Sequence, residues 1–245
     1  MAKRSTTRKQ GRKAARPKNA LRVWRARIWR WSLRSVLALV VVAALILLLG
    51  RYVAPVTTPY MFAEGRKHGQ VAYTWVPLDQ IAPVMARAAV AAEDANFCGH
   101  WGFDMAAIRD AIEDGGLRGA STLSQQTVKN LYLWHGRSYP RKALEALLTP
   151  ALEALWPKQR IIEVYLNIAE FDTGVFGVEA AARHYFGVEA RDLSDVQAAR
   201  LAAILPSPKT RSAAQPSDFV RRRARSILDG AETIRRDGRS SCFES

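Results

Sequence analysis

The chain has 245 residues, with 37 Lys or Arg against 22 Asp or Glu and a net charge of +15; apolar residues make up 49%. That is enough to bury one core, with an appendage. Thirteen of the basic residues fall in residues 1–34, which hold no acid, and the remaining 24 nearly balance the 22 acids. The charge therefore belongs to a tail and gives no support to a nucleic-acid-binding face on the body of the protein.

Residues 1–20 are basic and polar, a composition that predicts disorder. Ser35–Gly50 carries no charge and is almost wholly Val, Leu, Ile and Ala between Arg34 and Arg51. As a helix that run spans about 24 Å at ~1.5 Å per residue, against roughly 30 Å for a bilayer core. Both arginines can snorkel, and Trp29, Trp31 and Tyr52 suit an interface, so the helix can extend at both ends. The basic stretch before it is too long for a cleaved signal peptide, and no A-x-A site follows. We expect a single-pass anchor over residues 35–54. The positive-inside rule leaves the tail in the cytoplasm and everything from about residue 52 outside. In a bacterium, Cys98 and Cys242 would then meet an oxidising periplasm. A bridge and two free thiols are both open, with Cys242 expected in a frayed end.

Residues 55–78, punctuated by Pro and Gly, read as a connecting segment in which VAYTWV (71–76) forms a short extended piece. Helical signals dominate from there. Asp79 is placed to cap a helix through Met85 to Ala92, and Asp104 another over Met105–Glu113, ended by Gly115-Gly116. Ser121 is placed to cap a third, reaching Leu133. Others are expected over 141–155, 158–170, 177–186, 194–204 and 217–236. The fold class is mainly α, with the principal domain over 79–215 and a C-terminal helix and tail over 216–245. In the fifth helix, Glu163, Asn167 and Glu170 form a polar stripe that reads as a solvated face or as the lining of a cleft.

Three segments could carry chemistry. In AAEDANFCGHWGFD (91–104), Glu93 emerges from an apolar run, where burial would raise its pKa and suit it to proton transfer near neutral pH. Taken alone, it reads first as a surface glutamate at a helix end; Phe97 and His100 would share its face if the helix continued. In GASTLSQQTVKNLYL (119–133), a helix start offers free backbone N–H groups and a positive dipole end to an anion. Ser121, Gln125 and Lys129 recur at i, i+4 and i+8 on one face, unless this is an ordinary capped amphipathic helix. In GRSYPRKALEA (136–146), Arg137, Arg141 and Lys142 gather around Glu145, as a simple i, i+4 pair or as a second carboxylate beside a diphosphate site. A base, a second carboxylate and a set of cations suit glycosyl transfer from a sugar diphosphate, whose leaving group needs charge compensation and no proton donor.

EDANFCGHWGFD, GASTLSQQTVKN and RKALEA stand in the order and at the spacing of the first three motifs of the peptidoglycan glycosyltransferase family, and the chain resembles that family over about residues 70–210. WPKQRIIEVYLNIAEF and GVFGVEAAARHYFG continue the likeness. No S-x-x-K or K-T-G signature of a serine acyltransferase appears, so the likeness is to the monofunctional members. Asp172, where relatives often have Gly, departs from the pattern.

The resemblance implies a lysozyme-like fold. Glu93 would be the base that activates the 4-hydroxyl of the acceptor lipid II, and Glu145 a second essential carboxylate. Ser121, Gln125, Gln126, Lys129 and Arg137 would contact the donor's sugar and diphosphate, with Arg141 and Lys142 the basic pair before Glu145. The partners implied are lipid II, the growing glycan strand, the membrane and other cell-wall synthesis proteins, with no nucleic acid. The four histidines show no metal-ligand spacing, so no tightly bound cofactor or protein-held metal is expected; Mg²⁺ or Mn²⁺ would come with the substrate diphosphate. The alternatives are a membrane-bound lysozyme-like hydrolase or lytic enzyme, which needs fewer cations and a true acid, and a scaffold protein without turnover.

Overall fold

The computed structural model describes residues 18–115, 119–136 and 138–244. The expected disorder of residues 1–17, and the roles expected of Gly116 and Arg137, lie outside them. The chain divides into two compact units, Met1–Leu45 and Ile46–Ser245.

The first unit holds most of helix α1, Lys18–Tyr52, which is already helical where the tail was expected to be disordered. Its stretch Arg22–Tyr52 is long and apolar enough to cross a membrane. Trp29, Leu37, Leu39 and Leu45 are all exposed; an uncovered apolar helix of this length is what a single-pass anchor requires.

The second unit opens with the end of α1. Trp156 Nε1 donates to Leu47 O at 2.7 Å, Arg51 Nη1 to Leu155 O at 2.6 Å, and Arg160 Nη2 to Gly50 O at 3.0 Å and Val53 O at 2.8 Å. The carbonyl of Gly50, in the last turn of α1, is thereby satisfied. A Cβ on Gly50 would stand 2.4 Å from Tyr132 Oη, so only glycine permits this contact.

The segment expected to be a mere connection forms helix α2, Pro59–His68. Thr58 accepts from Met61 N–H, proline opens the first turn, and Gly69 at φ +91° ends it. Strand β1, Ala72–Tyr73, and a 3-10 turn at Leu78–Gln80 follow. Asp79 lies in that turn and caps nothing: helix α3, Pro83–Glu93, starts after Ala82 with proline in its first turn. Asp104 caps α4, Met105–Glu113, as expected.

Helix α5 is Leu123–Tyr132, and its cap is Thr122 rather than Ser121. Helices α6 (Tyr139–Leu155) and α7 (Lys158–Ile168) follow, then strands β2 (Glu170–Asp172) and β3 (Val175–Phe176). Helices α8 (Val178–Phe186), α9 (Asp195–Ile204) and α10 (Asp218–Arg236) complete the chain, the last two capped by Ser194 and Ser217. The strands make one small sheet in the order β1-β3-β2, with β1 parallel and β2 antiparallel to β3.

Small and aliphatic side chains fill the core, with Met85, Ala88 and Ala89 of α3, Ile161, Ile162 and Leu166 of α7, and Leu201 and Ala202 of α9 fully buried. Helix α10 packs on α3 and α9 and buries Val220, Ala224, Ile227 and Ile234. The segments 55–78 and 216–245 thus belong to the same compact unit as the expected principal domain. The C-terminal end is not frayed. Cys242 is disulfide-bonded to Cys98, Phe243 is 1% exposed, and Glu244 pairs with Arg87 at 2.6 Å.

Two of the three stripe residues lie on α7 and bond to the segment before α3, and Glu163, its side chain 17% exposed, also lines a cavity. Asn167, fully buried, exchanges two hydrogen bonds with the Val76 backbone at 2.9 and 2.8 Å, and Glu163 accepts from Leu78 N–H at 3.2 Å. They fasten the segment leading into α3.

Candidate active site

Glu93 is the last residue of α3. The helix does not continue, so Phe97 and His100 do not share its face. Phe97–Gly99 is a 3-10 turn with Phe97 in the core, and His100 Nε2 lies 2.8 Å from Asp94 Oδ1.

Asp94 occupies the start of α5. Its Oδ2 accepts Leu123 N–H at 2.9 Å. Thr122 Oγ1 accepts from Gln125 N–H at 3.3 Å, and Gln125 Oε1 accepts from Thr122 N–H at 3.1 Å. The anion expected at this helix end is therefore the protein's own carboxylate. Gln125 is buried and committed to the capping box, and Ser121 is exposed one residue before the cap. The predicted row of Ser121, Gln125 and Lys129 is not assembled; Gln126 and Lys129 instead line one cavity.

Gln126 Nε2 donates to Glu93 Oε2 at 2.7 Å. Burial pushes the Glu93 carboxyl above the usual glutamate range. This bond and the charges of Arg223 and Lys129 act against that shift, and Asp94 adds to it. Lys129, one turn further along α5, is pulled below the usual lysine range by burial; Glu145 and Glu93 oppose the shift, while Arg141 and Lys142 reinforce it. Lys129 thus feels both carboxylates yet makes no ion pair or hydrogen bond among the described residues. A partly desolvated ammonium without a partner is suited to an anionic ligand.

Glu145 lies on α6 and is 2% exposed. Arg141 Nη1 reaches its Oε2 at 2.6 Å and Lys142 Nζ its Oε1, from one turn earlier on the same helix. Arg141 Nε also donates to Gly136 O at 2.8 Å, tying down the preceding loop. Both Glu145 oxygens are engaged by cations, and among the described residues no three His, Cys, Asp or Glu gather to hold a metal. This donor set does not fit a divalent ion held by the protein.

A cavity of about 490 Å³ opens beside Gln126 and Lys129. It is also lined by Tyr60 and Lys209, residues with no signal in the sequence, and by Glu170 of the stripe. Tyr60 Oη donates to Glu170, and Lys209 lies 3.3 Å from Glu170 and 2.5 Å from Glu64. Asn130 Oδ1 is buried there without a partner. A larger cavity of about 690 Å³, near Leu78, Arg87 and Phe243, holds none of the predicted site residues.

A buried polar frame holds these pieces. Ser124 Oγ donates to Glu153 at 2.5 Å, Lys158 Nζ to the same carboxylate at 2.7 Å and to His100 O at 2.9 Å. Thr122 Oγ1 donates to Gly102 O at 2.6 Å. The ends of α5, α6 and α7 and the loop after α3 are thereby joined.

A helical domain on an apolar anchor, with a poised carboxylate, an unpartnered lysine and a second carboxylate clasped by two cations, has the parts of an enzyme acting on an anionic, membrane-borne substrate. The sequence model of the transglycosylase family matches residues 62–232, and the chain belongs to that family. A protein of Jannaschia sp. (strain CCS1) named biosynthetic peptidoglycan transglycosylase is 57% identical over 236 residues, 96% of this chain and 98% of its own. Proteins of the same name from Caulobacter vibrioides and Pseudomonas fluorescens (strain SBW25) are 44% and 55% identical, covering 84% and 67% of this chain and 92% and 70% of their own. The resemblance carried by the motifs is borne out.

Proposed function

We propose that the chain is a peptidoglycan glycosyltransferase that polymerises lipid II into glycan strands. The observation that carries this is a half-buried Glu93, held by Gln126, together with a Lys129 ammonium that makes no ion pair or hydrogen bond among the described residues. Glu93 takes the proton of the acceptor's 4-hydroxyl as that oxygen bonds to the donor's anomeric carbon. The bond from that carbon to the diphosphate breaks, and undecaprenyl diphosphate leaves with the electron pair. Lys129, Arg141 and Lys142 offset the charge that develops there, so the leaving group needs no proton. Glu145 fixes Arg141 and Lys142 in that orientation. Gln125 acts through the capping box, while the donor contacts of Ser121 and Arg137 rest on the family resemblance.

We place the anchor in the inner membrane with its N-terminus in the cytoplasm and the catalytic unit in the periplasm. The basic residues before the span and the Cys98–Cys242 bond, which persists in an oxidising compartment, support this orientation. Anchor and substrates then share one membrane, and other cell-wall synthesis proteins would take the strand onward. We propose no tightly bound cofactor; Mg²⁺ or Mn²⁺, where it takes part, arrives with the substrate diphosphate.

The test is polymerisation of lipid II by the purified full chain in lipid vesicles. Wild-type protein should give glycan polymer, and Glu93→Gln should lower the rate by about 10²–10⁴-fold, the usual contribution of a general base. A Glu93→Gln protein that polymerises at the wild-type rate would refute the assignment.

A further inference from the structure

We propose that Arg223, on α10 and outside all the motifs, is a positioning residue for this reaction: it holds the end of α3 and presents a permanent positive charge to the Glu93 carboxylate. The inference rests on the reading of Glu93 as the base.

The sequence Arg221-Arg222-Arg223-Ala224-Arg225 looks like a solvated basic face, and three of its arginines are that. Arg221, Arg222 and Arg225 are exposed, and Arg221 pairs with Asp218 on its own helix. Arg223 alone turns inward. It is half-buried, and its Nη2 donates to Ala92 O at 3.0 Å. Ala92 immediately precedes Glu93, in the last turn of α3, where carbonyls lack a helical partner. No carboxylate among the described residues forms an ion pair with Arg223, so its charge is not cancelled locally.

Its position is not adjustable. Val220, Ala224 and Ile227 bury the same side of α10. A Cβ on Gly230 would already be 3.2 Å from the Ala91 methyl, which shows how closely α10 lies on α3. Beyond the carboxylate, Arg239 Nη1 donates to Ala95 O at 3.1 Å. The end of α3 is thus gripped on both sides of Glu93 from the C-terminal region.

The groups acting on Glu93 are Asp94 beside it, Gln126 and Lys129 from α5, Tyr165 from α7 and Arg223 from α10. Lys129 is the only other cation among them. Burial weakens its hold on a proton, and on the proposed mechanism a substrate diphosphate engages it, which would spend its field on the substrate. A guanidinium does not deprotonate in proteins, and Arg223 stays fixed to the backbone. It is the charge that continues to favour ionised Glu93 once an anionic substrate is bound, when the base most needs to be ionised.

The experiment is the pH dependence of kcat, which reports the substrate-bound enzyme, and of kcat/KM, which reports the free enzyme, for lipid II polymerisation by the full chain, with thermal unfolding measured alongside. Arg223→Gln keeps a donor for Ala92 O and removes the charge; Arg223→Lys keeps a charge. Arg223→Met, which keeps the packed stem, is the second neutral variant should Arg223→Gln not fold. We expect the neutral variant to move the acid limb to higher pH and to recover activity above it, and Arg223→Lys to bring the limb back toward wild type. A neutral variant with the wild-type limb, or one that loses the same factor at every pH, overturns the role given to Arg223. Wild-type turnover by Glu93→Gln would instead overturn the assignment of the base, so the two failures are distinct.

Discussion

Replacing both cysteines of the Cys98–Cys242 bond by alanine removes a crosslink across a sequence separation of 144 residues. In the chain-entropy picture a loop of that length restricts the unfolded state by about 5 kcal/mol at 25 °C, and native bridges commonly return about 2–5. For a unit of roughly 200 residues, 1 kcal/mol corresponds to about 2–4 °C in Tm. The expected fall is therefore between about 4 and 20 °C. The native fold should survive at room temperature, because Phe243 is buried and lies 6.1 Å from Phe97 between ring centroids, and Arg87 holds Glu244. Far-UV circular dichroism melts of the detergent-solubilised chain, with and without reductant, provide the measurement, and amide exchange across residues 94–99 should accelerate locally. If the double variant melts within about 2 °C of the oxidised protein, the bridge does not constrain the chain and the reasoning fails.

Three further outcomes are expected. The folded pKa of Glu93 is raised chiefly by burial, so folding favours its protonated form. That contribution is full below the unfolded pKa and is lost as pH rises through the folded one. Glu93→Gln should thus be as stable as wild type or more so at neutral pH, and wild-type activity should fall with acid at a pH above the ordinary glutamate range; melts and a pH–rate profile check both. Glu153→Ala strands Lys158, whose side chain is only 12% exposed, and should destabilise the unit by about 3–5 kcal/mol, with Glu153→Gln milder, read from denaturant midpoints. Gly177 has φ +83°, and a Cβ there would stand 2.6 Å from Asn167 O. Gly177→Ala combines a left-handed backbone with overpacking and should lower stability by about 2–4 kcal/mol.

Helices whose apolar face begins beside one cap residue were legible in the sequence. Asp104, Ser194 and Ser217 each accept a backbone N–H in the first turn that follows them. Where two candidate groups stand together, local chemistry does not choose between them. Ser121 and Thr122 both carry hydroxyls; Thr122 is the cap, and its hydroxyl also reaches Gly102 O from another part of the fold. That choice sets the roles of Gln125 and Gln126, one in the cap and one on Glu93. Helix α2 was hidden because Thr58 and Pro59, which start it, lie in a stretch that reads as loop. The bond of Cys98 to Cys242 and the inward turn of Arg223 are long-range facts with no periodicity to announce them. Glu93 was legible because a carboxylate set in an apolar run is costly, Lys129 from its spacing on one helix face, and Glu145 from the cations clustered before it.

Glu93 and Asp94 show how this cost is directed. They are adjacent carboxylates at one helix end, and the fold uses them oppositely. Asp94 is fully engaged, with Leu123 N–H on one oxygen and His100 on the other, which fixes α5 and with it the faces of Gln126 and Lys129. Glu93 receives one hydrogen bond, from Gln126, and is otherwise held by burial and by distant charge. Exchanging the two identities would place the shorter side chain where reach toward a substrate is needed and the longer one where a backbone N–H is already at 2.9 Å. On the proposed mechanism the order Glu-Asp has a functional reason: the second acid builds the platform on which the first is left free to take a proton.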